Sequence, residues 1–203
     1  MSGTWLDLLG RGGVLMIPIV LCSIVGLALI FDRLYSYRKM RLEGFTVPEG
    51  VKSALRRGDL TGVRDMVDHE VAGGRVLLEA LSRHHEGVGG IRASFALAAS
   101  DLVRRMETSL RGLATVAALA PLLGLLGTVI GMIRAFMVIE RHGSAVSPAL
   151  LAGGIWEALL TTAAGLTVAI PCLLFHNLFQ GRIERVEGEL NRMATELSDA
   201  VHE

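Results

Sequence analysis

Charge of a single sign is what this chain most plainly lacks: 20 Lys and Arg are matched by 20 Asp and Glu, leaving a formal net charge of +0. A nucleic-acid binder carries a basic excess, so no nucleic-acid partner is expected. Cysteine is nearly absent. Cys22 and Cys172 are the only two, too few for a disulfide framework and too far apart for a Cys-x-x-Cys pair. Aromatic residues make up only 5%. There is no His-Glu-x-x-His, no P-loop and no Gly-x-Gly-x-x-Gly. The hydroxyls of the apolar regions, Ser23, Thr115, Thr128, Thr161, Thr162 and Thr167, have only His176 as a candidate base, at the wrong end. With no nucleophile and base in reach, the chain is expected not to be an enzyme, and no metal or cofactor is expected.

What is present is apolar. The chain is 51% hydrophobic with mean hydropathy +0.50, yet 20% of it is charged. That apolar share excludes a disordered chain, and the combination implies segregation of greasy and charged parts. Residues 12–31, 112–133 and 158–181 carry no formal charge, in runs of 20, 22 and 24 residues. A helix needs about 20 apolar residues to cross a bilayer core of roughly 30 Å. The expected fold is therefore an all-α integral membrane protein with three transmembrane helices and long cytoplasmic helical extensions. The expected spans are 12–31, 112–136 and 156–180. The basic cluster follows the first run instead of leading it, and no small-x-small cleavage site closes it, so that run reads as an uncleaved anchor.

Lys and Arg near the span ends set the orientation. Arg33, Arg38, Lys39, Arg41, Arg104, Arg105, Arg111, Arg182, Arg185 and Arg192 fall on one side; Arg11, Arg134 and Arg141 fall on the other or at its boundary. That places 1–11 and the loop 137–155 outside, in the periplasm, and places 32–111 and 181–203 in the cytoplasm. Trp5 and Trp156 then lie at the outer interface, where indoles are favoured.

The 32–111 region is helical in pattern, broken by Gly44, Pro48, Gly58, Gly73-Gly74 and Gly87–Gly90. From Ile91 no Gly or Pro intervenes until Gly112, which predicts one long helix from about 91 to 138. In the tail, Ile183, Val186, Leu190, Met193, Leu197 and Val201 recur at steps of three and four between charged residues. This stripe fits either an amphipathic helix packed on its own subunit or an oligomer contact.

Inside the spans, small residues recur at helical spacing. The second has Ala117, Pro121, Gly124, Thr128 and Gly131, with Gly127 pairing Gly131; the third has Thr161, Thr162, Gly165, Ala169 and Cys172. Such faces mark helix–helix contacts in lipid. Pro18, Pro121 and Pro171 are expected to kink their helices. Thr128 and Thr162 fall at nearly the same depth, roughly 22 Å from the inner edge and roughly 6 Å from the outer one. Either they bond their own helices or they line a polar path. Glu157 opens the third span one turn before Thr161, as an interfacial carboxylate or as part of an ion route.

These residues carry a resemblance. Ala120-Pro121-Leu122-Leu123-Gly124-Leu125-Leu126-Gly127-Thr128-Val129-Ile130-Gly131 resembles the second-span signature of the ExbB/TolQ/MotA proton-channel family. Gly154-Ile155-Trp156-Glu157-Ala158-Leu159-Leu160-Thr161-Thr162-Ala163-Ala164-Gly165-Leu166, running on to Ala169-Ile170-Pro171, resembles its third-span signature. Three spans favour the ExbB/TolQ branch over MotA, which has four. On this resemblance the chain is expected to lack the N-terminal extension of some ExbB proteins. The resemblance implies an inner-membrane motor subunit in a homo-oligomer of five copies around ExbD/TolR-like single-span partners, passing proton-driven motion to TonB- or TolA-like proteins. It also implies Thr128, Thr162, Glu157 and Thr161 as the proton pathway, and Gly124, Gly127, Gly131, Gly165, Pro121 and Pro171 as the packing framework. A non-conducting oligomeric membrane scaffold for a partner protein is the rival reading.

Overall fold

The computed structural model describes residues 13–57, 63–83, 85, 87–142 and 148–202. Among them every regular element is helical: α1 Met16–Met40, α2 Glu49–Arg57, α3 Val63–Met66, α4 Ala72–Leu81, α5 Gly87–Glu107, α6 Leu110–His142 and α7 Pro148–His202. Three helical stretches are long and apolar enough to cross a membrane: Met16–Met40, Gly87–Arg141 and Ala152–Ala200. Only 22–28% of each apolar window is buried within the chain. Ile17, Leu21, Ile24, Leu122, Leu125, Val129, Leu166 and Ile170 all face outward. An apolar surface of that extent is covered by lipid or by other chains. The fold is an all-α membrane protein.

Contacts divide the chain into two units: Met1–Phe31 with Ser109–Asn177, and Asp32–Thr108 with Leu178–Glu203. The first is built on a seam of small residues between α6 and α7, described with the site below. Helix α1 joins the seam where a glycine permits it. A Cβ on Gly26 would come 2.6 Å from Cys172 Sγ and 3.4 Å from Val116 Cγ1. Pro18 falls in the first turn of α1, where its missing N–H costs no hydrogen bond, so no kink is required there. α6 and α7 run on through Pro121 and Pro171 as helices. Trp5 and Arg11 lie outside the described residues.

The second unit has a conventional core. Phe45, Val47, Val51, Val76, Leu77, Ile91, Phe95 and Met106 are buried in it, and so is the tail stripe of Ile183, Val186, Leu190, Met193 and Leu197. The stripe therefore packs on its own subunit, and the oligomer contact is not needed to explain it. The side chain of Val201 lies outside those described. Gly73 and Gly74 open α4 instead of breaking a helix. Both are buried, because the Gly44 and Asp68 carbonyls approach where a Cβ would stand. Glu196 bonds back to this core, accepting from the Val47 amide at 3.3 Å and pairing with Lys52 at 3.4 Å.

The expected helix over 91–138 is interrupted. α5 ends at Glu107, and α6 begins at Leu110 after a turn in which Ser109 adopts φ 69°. The left-handed region is costly for a non-glycine residue. It is stabilised because the carbonyls orphaned at the end of α5 find partners. Arg33 Nη1 donates to Arg105 O at 2.9 Å, and Tyr37 Oη donates to Met106 O at 3.0 Å. Arg33 and Tyr37 are one turn apart on α1, so one face of that helix terminates another. A guanidinium there also complements the negative end of the helix dipole. Asp32 holds the far side of Arg33 at 2.9 Å, and Phe179 meets the Tyr37 ring edge-on at 5.3 Å.

Burial pushes the Tyr37 phenol up to about 12 from the ordinary 10.0, against Arg33 and Arg182, whose charges pull the other way. The native state therefore holds this proton more tightly than the unfolded chain does. The contribution is complete below pH 10 and is lost as the pH rises from 10 toward 12. Unfolding midpoints in detergent should fall more steeply across that window for the wild type than for Tyr37→Phe. At neutral pH Tyr37→Phe should be about 1 kcal/mol less stable through loss of the hydrogen bond.

Candidate functional site

The two helices that carry the sequence signatures meet along them. α6 and α7 run antiparallel, and at Gly124 and Gly131 of α6 the backbone of α7 moves in. A Cβ on Gly124 would stand 2.9 Å from Thr162 Cα and 3.0 Å from Thr161 O. A Cβ on Gly131 would stand 2.9 Å from Ala158 Cβ, and one on Gly165 would stand 2.5 Å from Ala120 O. On Gly127 it would overlap the Thr161 side chain. Real Cβ atoms do not approach that closely, so the helix separation is set by the absence of side chains. Ala120, Ala135, Ala158, Ala169 and Cys172 continue the seam as buried small residues. All four glycines lie where α6 and α7 touch.

The threonines are not equivalent. Thr161 is buried in the seam against Gly127 and donates to Ala158 O on its own helix at 2.7 Å. Thr128 does the same on α6, donating to Leu125 O at 2.7 Å. Thr162 reaches across, donating to Gly124 O at 2.9 Å. Gly124 and Thr128 are one turn apart on α6, so Thr128 lies one turn along α6 from the carbonyl that Thr162 bonds, though its own hydroxyl bonds only α6. In the membrane such a cross-helix bond contributes on the order of 0.6–2 kcal/mol. Each of the three hydroxyls thus has an acceptor within the chain. Of these three hydroxyls, Thr162 is the one that binds α7 to α6.

One turn toward the start of α7 from Thr161, Glu157 is half-buried and paired. Arg134 Nη1 on α6 donates to its Oε1 at 2.8 Å. The carboxylate also lies against Gly13, where a Cβ would overlap it and φ is +69°. Sequence reading counted Arg134 only as a boundary charge and missed this partnership. Pairing across two helices leaves no periodic signal, and the two residues are separated in sequence by a loop. The only acid on α6 is Glu140, and between Glu157 and Glu184 α7 has none. Trp156 is exposed, as an interfacial indole would be. Among the described residues no group of three or more His, Cys, Asp or Glu is placed to hold a metal ion.

The chemistry of this seam is that of a rigid helix pair with a short column of hydroxyls and one carboxylate. Comparison with known proteins gives it a family. Residues 69–192 match the model of the MotA/TolQ/ExbB proton channel family. The ExbB-like 1 protein of Synechocystis sp. is 39% identical over 173 residues, covering 83% of this chain and 68% of its own length. The biopolymer transport protein ExbB of Neisseria gonorrhoeae is 39% identical over 121 residues, 60% of this chain and 53% of that protein. The Tol-Pal system protein TolQ of Haemophilus influenzae is 33% identical over 115 residues, 57% of this chain and 50% of that protein. The chain belongs to the MotA/TolQ/ExbB proton channel family, in its ExbB/TolQ branch. That is a family of membrane proton channels and not one of enzymes.

The seam yields a contrast between glycines. Gly165→Ala drives a methyl into a backbone carbonyl and should destabilise the fold by about 1–3 kcal/mol. Gly188→Ala, on the same helix, meets nothing within 4 Å and should be neutral or stabilising by up to about 1 kcal/mol. Denaturant titration of the two purified variants in detergent checks the difference.

Proposed function

We propose that this chain is an inner-membrane motor subunit that lets protons cross with the help of an ExbD/TolR-like single-span partner and passes the resulting motion to a TonB- or TolA-like protein. The N-terminus is periplasmic and the C-terminus cytoplasmic, as the Lys/Arg asymmetry supports. Five copies surround the partner, in keeping with the family, with the outward apolar faces meeting lipid and neighbouring subunits. Thr128, Thr162 and Glu157 contribute the polar layer of the path, and Thr161 and the glycines hold it in shape.

The observation that carries this reading is the composition of the seam. A charge crossing the membrane potential releases about 2.3 kcal/mol per 100 mV. Capturing it needs a group that takes up and releases a proton inside the membrane. The chain supplies hydroxyls at depth and its single span acid, Glu157, near one edge. A second, deeper carboxylate must therefore come from another chain, which is why a partner is required.

The test is proton flux into vesicles under an imposed gradient. The chain alone should give flux close to that of empty vesicles, and the chain with its single-span partner should give a clear current. Thr162→Val keeps the shape of the seam but loses the bond to Gly124 O. It should assemble normally and lose most of that current, on the order of tenfold, the cost of about 1.4 kcal/mol in a barrier. Robust flux from the chain alone would overturn the partner requirement. No flux from the complex would point to a non-conducting scaffold.

A further inference from the structure

Asp32 and Arg33 end the charge-free part of α1, and by sequence they mark the edge of the bilayer. The structure turns Arg33 inward, where it is buried and held by Asp32 and the Arg105 carbonyl. The outward face of α1 does not end with this pair. Ile17, Leu21, Ile24 and Phe31 face outward, and Leu34 and Tyr35 continue the same face one turn further on. Phe31 and Tyr35 are 66% and 70% exposed. Length favours the longer face. Met16 to Phe31 is only about 24 Å of helix, whereas Met16 to Tyr35 is about 30 Å, the thickness of a bilayer core.

The apolar face then gives way to Arg38 and Lys39, in the last turn of α1. Both are exposed, and among the described residues neither has a hydrogen-bond or ion-pair partner. They complement the negative end of the helix dipole, but their cationic heads are left without an anion. Asp32, the acid nearest this face, is committed to Arg33 at 2.9 Å. The next acid in the chain, Glu43, lies beyond the end of α1.

We propose that this end of α1 is a docking surface for the headgroups of anionic phospholipids. Phe31 and Leu34 lie among the acyl chains. Tyr35 sits at the interface, a depth that tyrosine favours, with its phenol toward water. Arg38 and Lys39 extend along their stems to the phosphates. Two observations select lipid over a second protein chain. The surface is continuous with the outward apolar face of a membrane span, and its charge is the complement of an anionic leaflet, which attracts basic residues beside a span. The assignment does not depend on conduction. That the leaflet is the cytoplasmic one rests on the orientation proposed above.

The test uses the full chain in vesicles of mixed phosphatidylglycerol and phosphatidylcholine. Tyr35→Trp serves as the reporter, with Trp5→Phe and Trp156→Phe removing the native indoles. Bromine on the acyl chains quenches a nearby indole. Tyr35→Trp should be quenched more by bromine close to the headgroup than by bromine close to the chain ends. Phe31→Trp, about 6 Å deeper, should reverse that order. With only one of the two lipids brominated, at equal mole fraction, quenching should show phosphatidylglycerol enriched about fivefold around Tyr35→Trp. Arg38→Gln with Lys39→Gln should abolish the enrichment and leave the depth order unchanged. Arg57→Gln with Arg83→Gln removes two exposed charges elsewhere in the same unit and should leave the enrichment intact. Absence of quenching by either lipid means that protein covers the face, and it overturns the proposal. Equal quenching by the two lipids, or equal loss in the two double variants, overturns it as well.

Discussion

Backbone-to-backbone contact between α6 and α7 is the constraint on which the membrane unit depends. In water, two helices can be pressed together by excluding solvent from their side chains. In lipid that force is absent, and association relies on close packing and hydrogen bonds. Gly124, Gly127, Gly131 and Gly165 supply the first by having nothing to remove. The Thr162 bond to Gly124 O supplies the second. That bond is available only because the glycine lets the carbonyl come within reach. Packing and polar chemistry are therefore one feature here: the residues that set the helix separation also set where the hydroxyls point.

The second unit solves a different problem. Its core is apolar and large enough to order short helices. It also contains a helix end, at Glu107, that would otherwise leave carbonyls without partners. Arg33 and Tyr37 answer that need from a single face of α1. Arg33 would ordinarily be read as a charge marking the edge of a span, and it is 6% exposed. A charge so far out of water persists only when it is fully hydrogen-bonded, and here Asp32 and the Arg105 carbonyl provide the partners. One residue thus stands at the end of a charge-free run and also terminates a helix.

Glu157 shows the same economy at the start of α7. An acid in a span is costly, and it is commonly taken as a functional mark. Its environment here includes a cation on a neighbouring helix and the opening turn of another. Glu157 is therefore a paired carboxylate and not an isolated one. Thr161 makes the same point in reverse: it shares a helix face with Glu157, yet its hydroxyl is folded into the seam and bonded to its own helix.

The sequence by itself determined the elements whose cause is one-dimensional. Charge-free runs of sufficient length define spans because lipid cannot solvate charge. Small residues at steps of three and four define a packing face because the helix repeats at that interval. The tail stripe followed for the same reason, though only the structure decided that it packs on its own subunit. Tertiary structure alone decided what depends on residues meeting across the chain. The break at Thr108-Ser109 could not be read, because no Gly or Pro marks it and the side chains that stabilise it lie some 70 residues earlier in sequence. The pairing of Arg134 with Glu157 and the acceptor of Thr162 were hidden for the same reason. Periodicity reports which face a residue occupies, whereas a hydrogen bond depends on what the fold brings to that face.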